Sequence, residues 1–256
     1  PEGHLYRNER PCEDCIHKSL ACAIRYRCVK NSFAGSLMKA AALTFQRLTG
    51  IYNKVDFIVC PSSFTLNTIT PKLPSGKLRH IPTFIEETKK QTQQLGNYIL
   101  FVGRIEPIKG LLYAIKAVEG TNYKLKIVGT SSTDYDKELQ TYVRRRKLDN
   151  VEFLGGKHGK ELEGLYQKAR LVILPSLCYD NLPNVALEAM SHGKPLLVTN
   201  LKSMHVFVKD NYNGFLCTPR DVEDMKNKIR KLYNDKICKR LGKNSLQEAH
   251  TTYNPT

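Results

Sequence analysis

Two carboxylates, Asp180 and Glu188, stand eight positions apart, and two cations, Arg104 and Lys109, stand five apart between Gly103 and Gly110. A carboxylate accepts hydrogen bonds from hydroxyls or moves protons. A guanidinium grips phosphate oxygens through a planar fork, and an ammonium adds a mobile point charge. Paired carboxylates alone would suit a glycoside hydrolase, which holds an acid and a nucleophile or base roughly 5 to 9.5 Å apart. The cations argue against that chemistry, because they would keep both carboxyls ionised instead of tuning them apart. Arg104 and Lys109 together suit a diphosphate. Taken alone, the 103–110 loop also has a plainer reading, with Arg104 paired to Glu106 and Lys109 an ordinary residue at a helix start.

A third group is Cys12, Cys15, Cys22 and Cys28, which fall within 17 residues as C-x2-C-x6-C-x5-C. A two-residue gap lets both sulfurs turn toward one metal at about 2.3 Å, so the four are candidate ligands of a structural zinc. The second pair is spaced more loosely than in common zinc motifs. Reduced cysteines in a small knot of loops are the competing reading. His192 and His205 fall near a helix end and in a connecting segment, neither of which suits a catalytic base.

These side chains need elements to hold them. The apolar run 171–174, the loop from Pro175, the segment around Glu188 and the second run 196–199 read as strand, loop, helix, strand. In such a unit the loop after a strand opens at a helix N-terminus, where anions are favoured. Strands are expected at 98–102, 125–128, 151–154 and 214–216, and helices at 110–118, 136–147, 160–169 and 221–232, an α/β alternation with a parallel sheet. Strand-ending loops then gather along one sheet edge. Upstream, 1–32 reads as an irregular Cys-rich region and 32–52 as a helix with Leu37, Ala41, Phe45, Leu48 and Tyr52 on one stripe. The segment 55–59 reads as a strand, followed by a helix capped by Ser62 or Ser63, and 78–84 as extended. The division expected is a partial N-terminal α/β domain over 1–85, a polar linker over 86–97 and a Rossmann-like domain over 98–256.

The 256 residues carry 40 Lys and Arg against 24 Asp and Glu, a net charge of +16 that favours an acidic partner without naming it. The one tight basic cluster, residues 144–147, lies in a helical pattern and reads as a solvated face. No recognisable nucleic-acid module accompanies it, so nucleic acid is not expected as a partner. No apolar run approaches the roughly 20 residues of a membrane-spanning helix, and no signal-peptide pattern opens the chain. A cytoplasmic protein is expected. The start at Pro1 and the end at 253–256 without a closing element predict a piece of a longer protein.

Residues 98–218 resemble the C-terminal domain of retaining glycosyltransferases of the GT-B fold, family four. The resemblance rests on Gly103-Arg104 with Lys109-Gly110, on Asp180 with Glu188, on Pro175-Ser176, and on Glu188-Ala189-Met190 followed by Gly193 and Pro195. Residues 11–85 are similar to the final part of the N-terminal domain of bacterial members, through the clustered cysteines, Val55-Asp56, Pro61-Ser62, Phe64 and Ile81-Pro82. The resemblance implies transfer of a hexose from a UDP- or GDP-sugar to a glycan or lipid-linked acceptor in cell-surface polysaccharide synthesis. Arg104 and Lys109 would bind the diphosphate and neutralise the leaving group without a required metal. Glu188 would hold the ribose hydroxyls, Asp180 the hexose, the backbone around Asn184 and Val185 the phosphates, and Lys157 would border the base. Family members more often carry glutamate at the position of Asp180, so the reach there is shorter by one methylene. Lipid-linked acceptors and the positive charge also suit a peripheral contact with anionic membrane at the inner face. A non-catalytic nucleotide-sugar module is the alternative.

Overall fold

The computed structural model describes residues 5–253 except 9, 71, 72, 74, 85–94 and 182. The expected linker at 86–97 therefore lies mostly outside the described residues. Contacts divide the chain into two units, one of Pro1–Pro82 with Cys178–Leu182 and one of Thr83–Leu177 with Pro183–Thr256.

The first unit opens with two short antiparallel strands, β1 (Tyr6–Arg7) and β2 (Arg10–Pro11), followed by α1 (Asp14–His17) and α2 (Ala21–Arg25). The stretch expected to be irregular thus carries short elements. They escape a periodicity reading because none is longer than five residues. Helix α3 (Phe33–Leu48) starts at Ser32, whose hydroxyl accepts from the Gly35 N–H at 3.1 Å, the usual saturation of a free helix donor. Its apolar stripe does not face a core. Leu37, Phe45 and Leu48 are exposed, and the helix buries the small residues Ser36 and Ala40 instead. Strand β3 (Ile58–Cys60) pairs in parallel with β4 (Leu78–His80), and α4 (Ser63–Ile69) between them is capped by the Ser62 hydroxyl. The segment 178–182 adds the Tyr179 ring, 4.8 Å from that of Phe64, and a bond of 2.7 Å from the Tyr179 hydroxyl to Glu13. Asn181 accepts from Ser62 and Thr65.

The second unit follows the expected alternation closely. Its elements are β5 (Tyr98–Val102), α5 (Leu111–Val118), β6 (Lys124–Val128), α6 (Tyr135–Arg145), β7 (Val151–Gly155), α7 (Gly159–Lys168), β8 (Ala169–Leu174), α8 (Asn184–Ser191), β9 (Leu196–Thr199), β10 (Gly214–Cys217), α9 (Val222–Leu232) and α10 (Asp235–Thr252). The strands form one parallel sheet in the order β10-β9-β8-β5-β6-β7. All six residues of β8 are buried, which is why 171–174 reads as a continuous apolar run and not as an alternation. Ile99, Phe101, Ile127, Leu171, Ile173 and Leu197 from the sheet meet Leu111, Ile115, Met225 and Ile229 from the helices in the core. The strand order reverses between β5 and β8, so their carboxyl ends flank the crevice where open α/β sheets bind ligands.

Helix α10 is an element that the sequence pattern did not predict. It buries Cys238, Leu241, Gly242, Ser245 and Ala249, mostly small residues, so its inner face carries a weak apolar signal. The Asn234 side chain caps it by accepting from the Ile237 N–H at 3.2 Å. In the basic cluster, Arg146 pairs with Glu119, which also accepts from the Tyr142 hydroxyl at 2.8 Å. Among the described residues no helix is long and apolar enough to cross a membrane.

Candidate functional site

The 103–110 loop is held by its backbone. The Gly103 N–H donates to the Val128 carbonyl at 3.0 Å, Ile105 N–H to Thr130 at 2.9 Å, and Gly129 N–H to Gly155 at 2.8 Å, lacing the ends of β5, β6 and β7 together. Gly129 is required there, because a Cβ would lie 1.8 Å from the Gly103 carbonyl oxygen. Ile105 is buried, whereas its neighbour Arg104 stays 61% exposed and donates to Glu106 at 2.7 Å. The plainer pairing is therefore present. A pair whose guanidinium is this exposed, although Glu106 is half-buried, contributes only about 0–1 kcal/mol, less than the roughly 1.5–3 kcal/mol of a hydrogen bond to a charged group, so it opposes transfer of the guanidinium to a phosphate only weakly.

The loop then makes a 3-10 turn, Pro107–Lys109, and reverses at Gly110, whose φ is +67°. A Cβ at Gly110 would sit 2.0 Å from the Pro175 carbonyl oxygen. The Leu177 N–H donates to the Ile108 carbonyl at 2.8 Å, and the Thr199 hydroxyl donates to the Ser176 carbonyl at 2.6 Å. The cationic loop after β5 and the loop after β8 are thus fastened together by main-chain contacts at the switch point.

Asn184 and Val185 form the first turn of α8, and Glu188 lies one turn further on, half-buried. The Glu188 Oε2 accepts from the Tyr166 hydroxyl at 2.7 Å. A pocket of about 490 Å³ runs between α7 and α8, lined by Tyr166, Asn184, Glu188 and His192 together with Glu163 and Phe84. That volume lies in the usual range of small-molecule sites. Lys157, in the loop after β7, is bonded to Glu161 at 3.2 Å.

The second unit therefore brings Gly103, Arg104, Lys109, Lys157, Asn184, Val185 and Glu188 to strand-ending loops of one sheet edge, or to the helix that follows one. Asp180 is half-buried in the segment that belongs to the first unit. Tyr166 escaped the sequence reading, since a tyrosine on an amphipathic helix reads as core. Its partner lies 22 positions on.

Cys15 lies in α1 and Cys22 in α2, Cys12 follows β2 and Cys28 lies in the turn after α2, and all four are half-buried free thiols. Burial, followed by the Cys28 and Cys22 thiols, pushes Cys15 above its ordinary pKa. Among the described residues no three His, Cys, Asp or Glu side chains are placed to hold a metal ion, so the geometry does not assemble the four-thiolate site that the spacing allowed.

Comparison with known proteins decides the family. The family model described as Glycosyl transferases group 1 matches residues 84–248. The chain belongs to this family. An uncharacterised glycosyltransferase of Methanocaldococcus jannaschii is 30% identical over 195 residues, covering 75% of this chain and 54% of that protein. The lipopolysaccharide 1,2-N-acetylglucosaminetransferase of Salmonella typhimurium is 28% identical, with 70% of this chain and 53% of that enzyme covered. The chain thus spans about half the length of these relatives. Among solved structures, Anabaena HepE in complex with UDP-glucose superposes with a TM-score of 0.73 at 21% identity, over 83% of this chain and 64% of that one. The fold of this glycosyltransferase family member is the GT-B type.

Proposed function

We propose that the chain is the donor-binding part of a retaining hexosyltransferase that uses a nucleoside diphosphate sugar. The observation that carries this reading is the fastening of the cationic 103–110 loop to the loop after β8 at the switch point. It sets Arg104 and Lys109 on the strand ends that also launch the helix bearing Glu188. In this reading Arg104 and Lys109 hold the diphosphate and neutralise the charge that grows on it as the sugar leaves, where preorganised cations act most strongly. The N-terminal N–H groups of α8 at Asn184 and Val185 add to the phosphate site. Glu188 accepts from the ribose diol, Lys157 borders the base and Asp180 contacts the hexose.

The donor base is read as uracil or guanine. HepE is described in complex with UDP-glucose, and TarM of S. aureus in complex with UDP, which supports uridine. An E. coli relative, 23% identical over 91% of this chain, is a UDP-Gal:alpha-D-GlcNAc-diphosphoundecaprenol alpha-1,3-galactosyltransferase. Together with the Salmonella lipopolysaccharide enzyme it supports a glycan or lipid-linked acceptor, and with the net charge of +16 it favours a peripheral membrane location on the cytoplasmic side. Isothermal titration with UDP and GDP tests the reading. We expect one of them to bind and Arg104→Ala to weaken it by about tenfold or more, the loss of a charged hydrogen bond. Binding unchanged by that substitution would remove the diphosphate assignment.

A further inference from the structure

Glu188 sits on α8 with a side chain that has three rotatable bonds, and a carboxylate that must meet two hydroxyls at once gains from being held in one orientation. Tyr166, in the last turn of α7, is only 1% exposed, and its hydroxyl donates to Glu188 Oε2 at 2.7 Å. Its ring stacks on His192, with centroids 5.3 Å apart and planes 24° from parallel. His192 is itself tied back, since its Nδ1 lies 2.8 Å from the Glu188 carbonyl oxygen. A carbonyl only accepts, so Nδ1 is the donor in that contact. The His192 Nε2 is buried, with no hydrogen-bond partner among the described residues. Tyr166, Glu188 and His192 all line the same pocket. Both the backbone and the carboxylate of Glu188 are therefore engaged by two side chains that also brace each other.

We propose that Tyr166 is a positioning residue that fixes the Glu188 carboxylate for the ribose diol of the donor. The inference rests on the reading of Glu188 as the ribose acceptor. An ionised carboxylate offers about four lone-pair positions, so one bond from Tyr166 leaves enough for the two O–H donors of a diol. Burial, and then the Glu188 charge, push the Tyr166 phenol well above its ordinary pKa, so it stays a donor throughout the physiological range. The competing account is that Tyr166 only fills the core and its hydroxyl takes whatever acceptor is near.

Titrations of the chain with UDP and GDP, and with the 2′,3′-dideoxy form of whichever binds, separate the two accounts. Tyr166→Phe removes one oxygen and keeps the stacked ring. It is expected to weaken the ribonucleotide about three- to tenfold, as for one net hydrogen bond, and to leave the dideoxy form unchanged. Glu188→Gln should weaken the ribonucleotide selectively, and adding Tyr166→Phe to it should cause little further selective loss, because the two act as one unit. Equal weakening of both nucleotides by Tyr166→Phe, or none, would overturn the positioning role while leaving Glu188 as the ribose contact. Absence of any diol-selective loss in Glu188→Gln would instead overturn the ribose reading. Failure of both nucleotides to bind would overturn the donor site as a whole.

Discussion

Arg104 is held beside Glu106 by a bond of 2.7 Å, yet it remains mostly exposed and lies between two backbone-anchored neighbours. Its charge is presented on a fixed loop and restrained by one carboxylate. Glu106→Gln should therefore leave nucleotide affinity unchanged or raise it up to about fivefold, the range of a surface ion pair, and a calorimetric titration reads this directly. A loss of affinity would mean that Glu106 orients the guanidinium instead of competing for it. The positions Gly103, Arg104, Lys109 and Glu188 stand out in the sequence because they combine residue type with spacing. Tyr166 was not legible. Its bond to Glu188 joins residues 22 positions apart on two helices, and no local pattern separates a core phenol from one aimed at a carboxylate.

The elements of the second unit were readable because buried parallel strands announce themselves as apolar runs, β8 most plainly. Helix α10 was missed because its inner face is built from Cys238, Gly242, Ser245 and Ala249 as much as from Leu241. In the first unit, the stripe of α3 was visible but its exposure was not, since periodicity says nothing about what covers a face. Two predictions belong to this scale. Gly110→Ala should destabilise the unit and weaken nucleotide binding, because its Cβ would meet the Pro175 carbonyl at 2.0 Å. Gly120 has a similar φ of +69° with nothing among the described residues within 4 Å of an added Cβ, so Gly120→Ala should show only the smaller cost of about 1–2 kcal/mol for left-handed backbone. Equal effects in chemical denaturation would contradict the packing argument.

The second concerns Tyr98, which ties β5 to the end of α7 through a bond of 2.7 Å from its hydroxyl to the Leu165 carbonyl. Burial, and then Glu152, push its pKa up to about 12. A group whose folded pKa is raised contributes stability that is complete below its unfolded pKa, near 10 for tyrosine, and lost as pH rises through the folded value. The urea midpoint should fall between about pH 10 and 12 and fall less steeply in Tyr98→Phe.

At the scale of the whole molecule, the chain spans 54% of its M. jannaschii relative and 53% of the Salmonella enzyme. In the proposed function the nucleotide is held by residues of the second unit, whereas transfer also needs an acceptor site. The chain alone is therefore expected to bind nucleotide and to transfer little or no sugar in an assay with UDP-glucose or UDP-galactose. Sustained turnover would contradict this division. In the proposed function the sheet edge between β5 and β8 holds a nucleoside diphosphate. A crystal structure of the chain with UDP or GDP tests it most directly. The diphosphate is expected within hydrogen-bond distance of Arg104 and Lys109, with the ribose hydroxyls on Glu188. A nucleotide bound elsewhere on the chain, with those three side chains uninvolved, would contradict it.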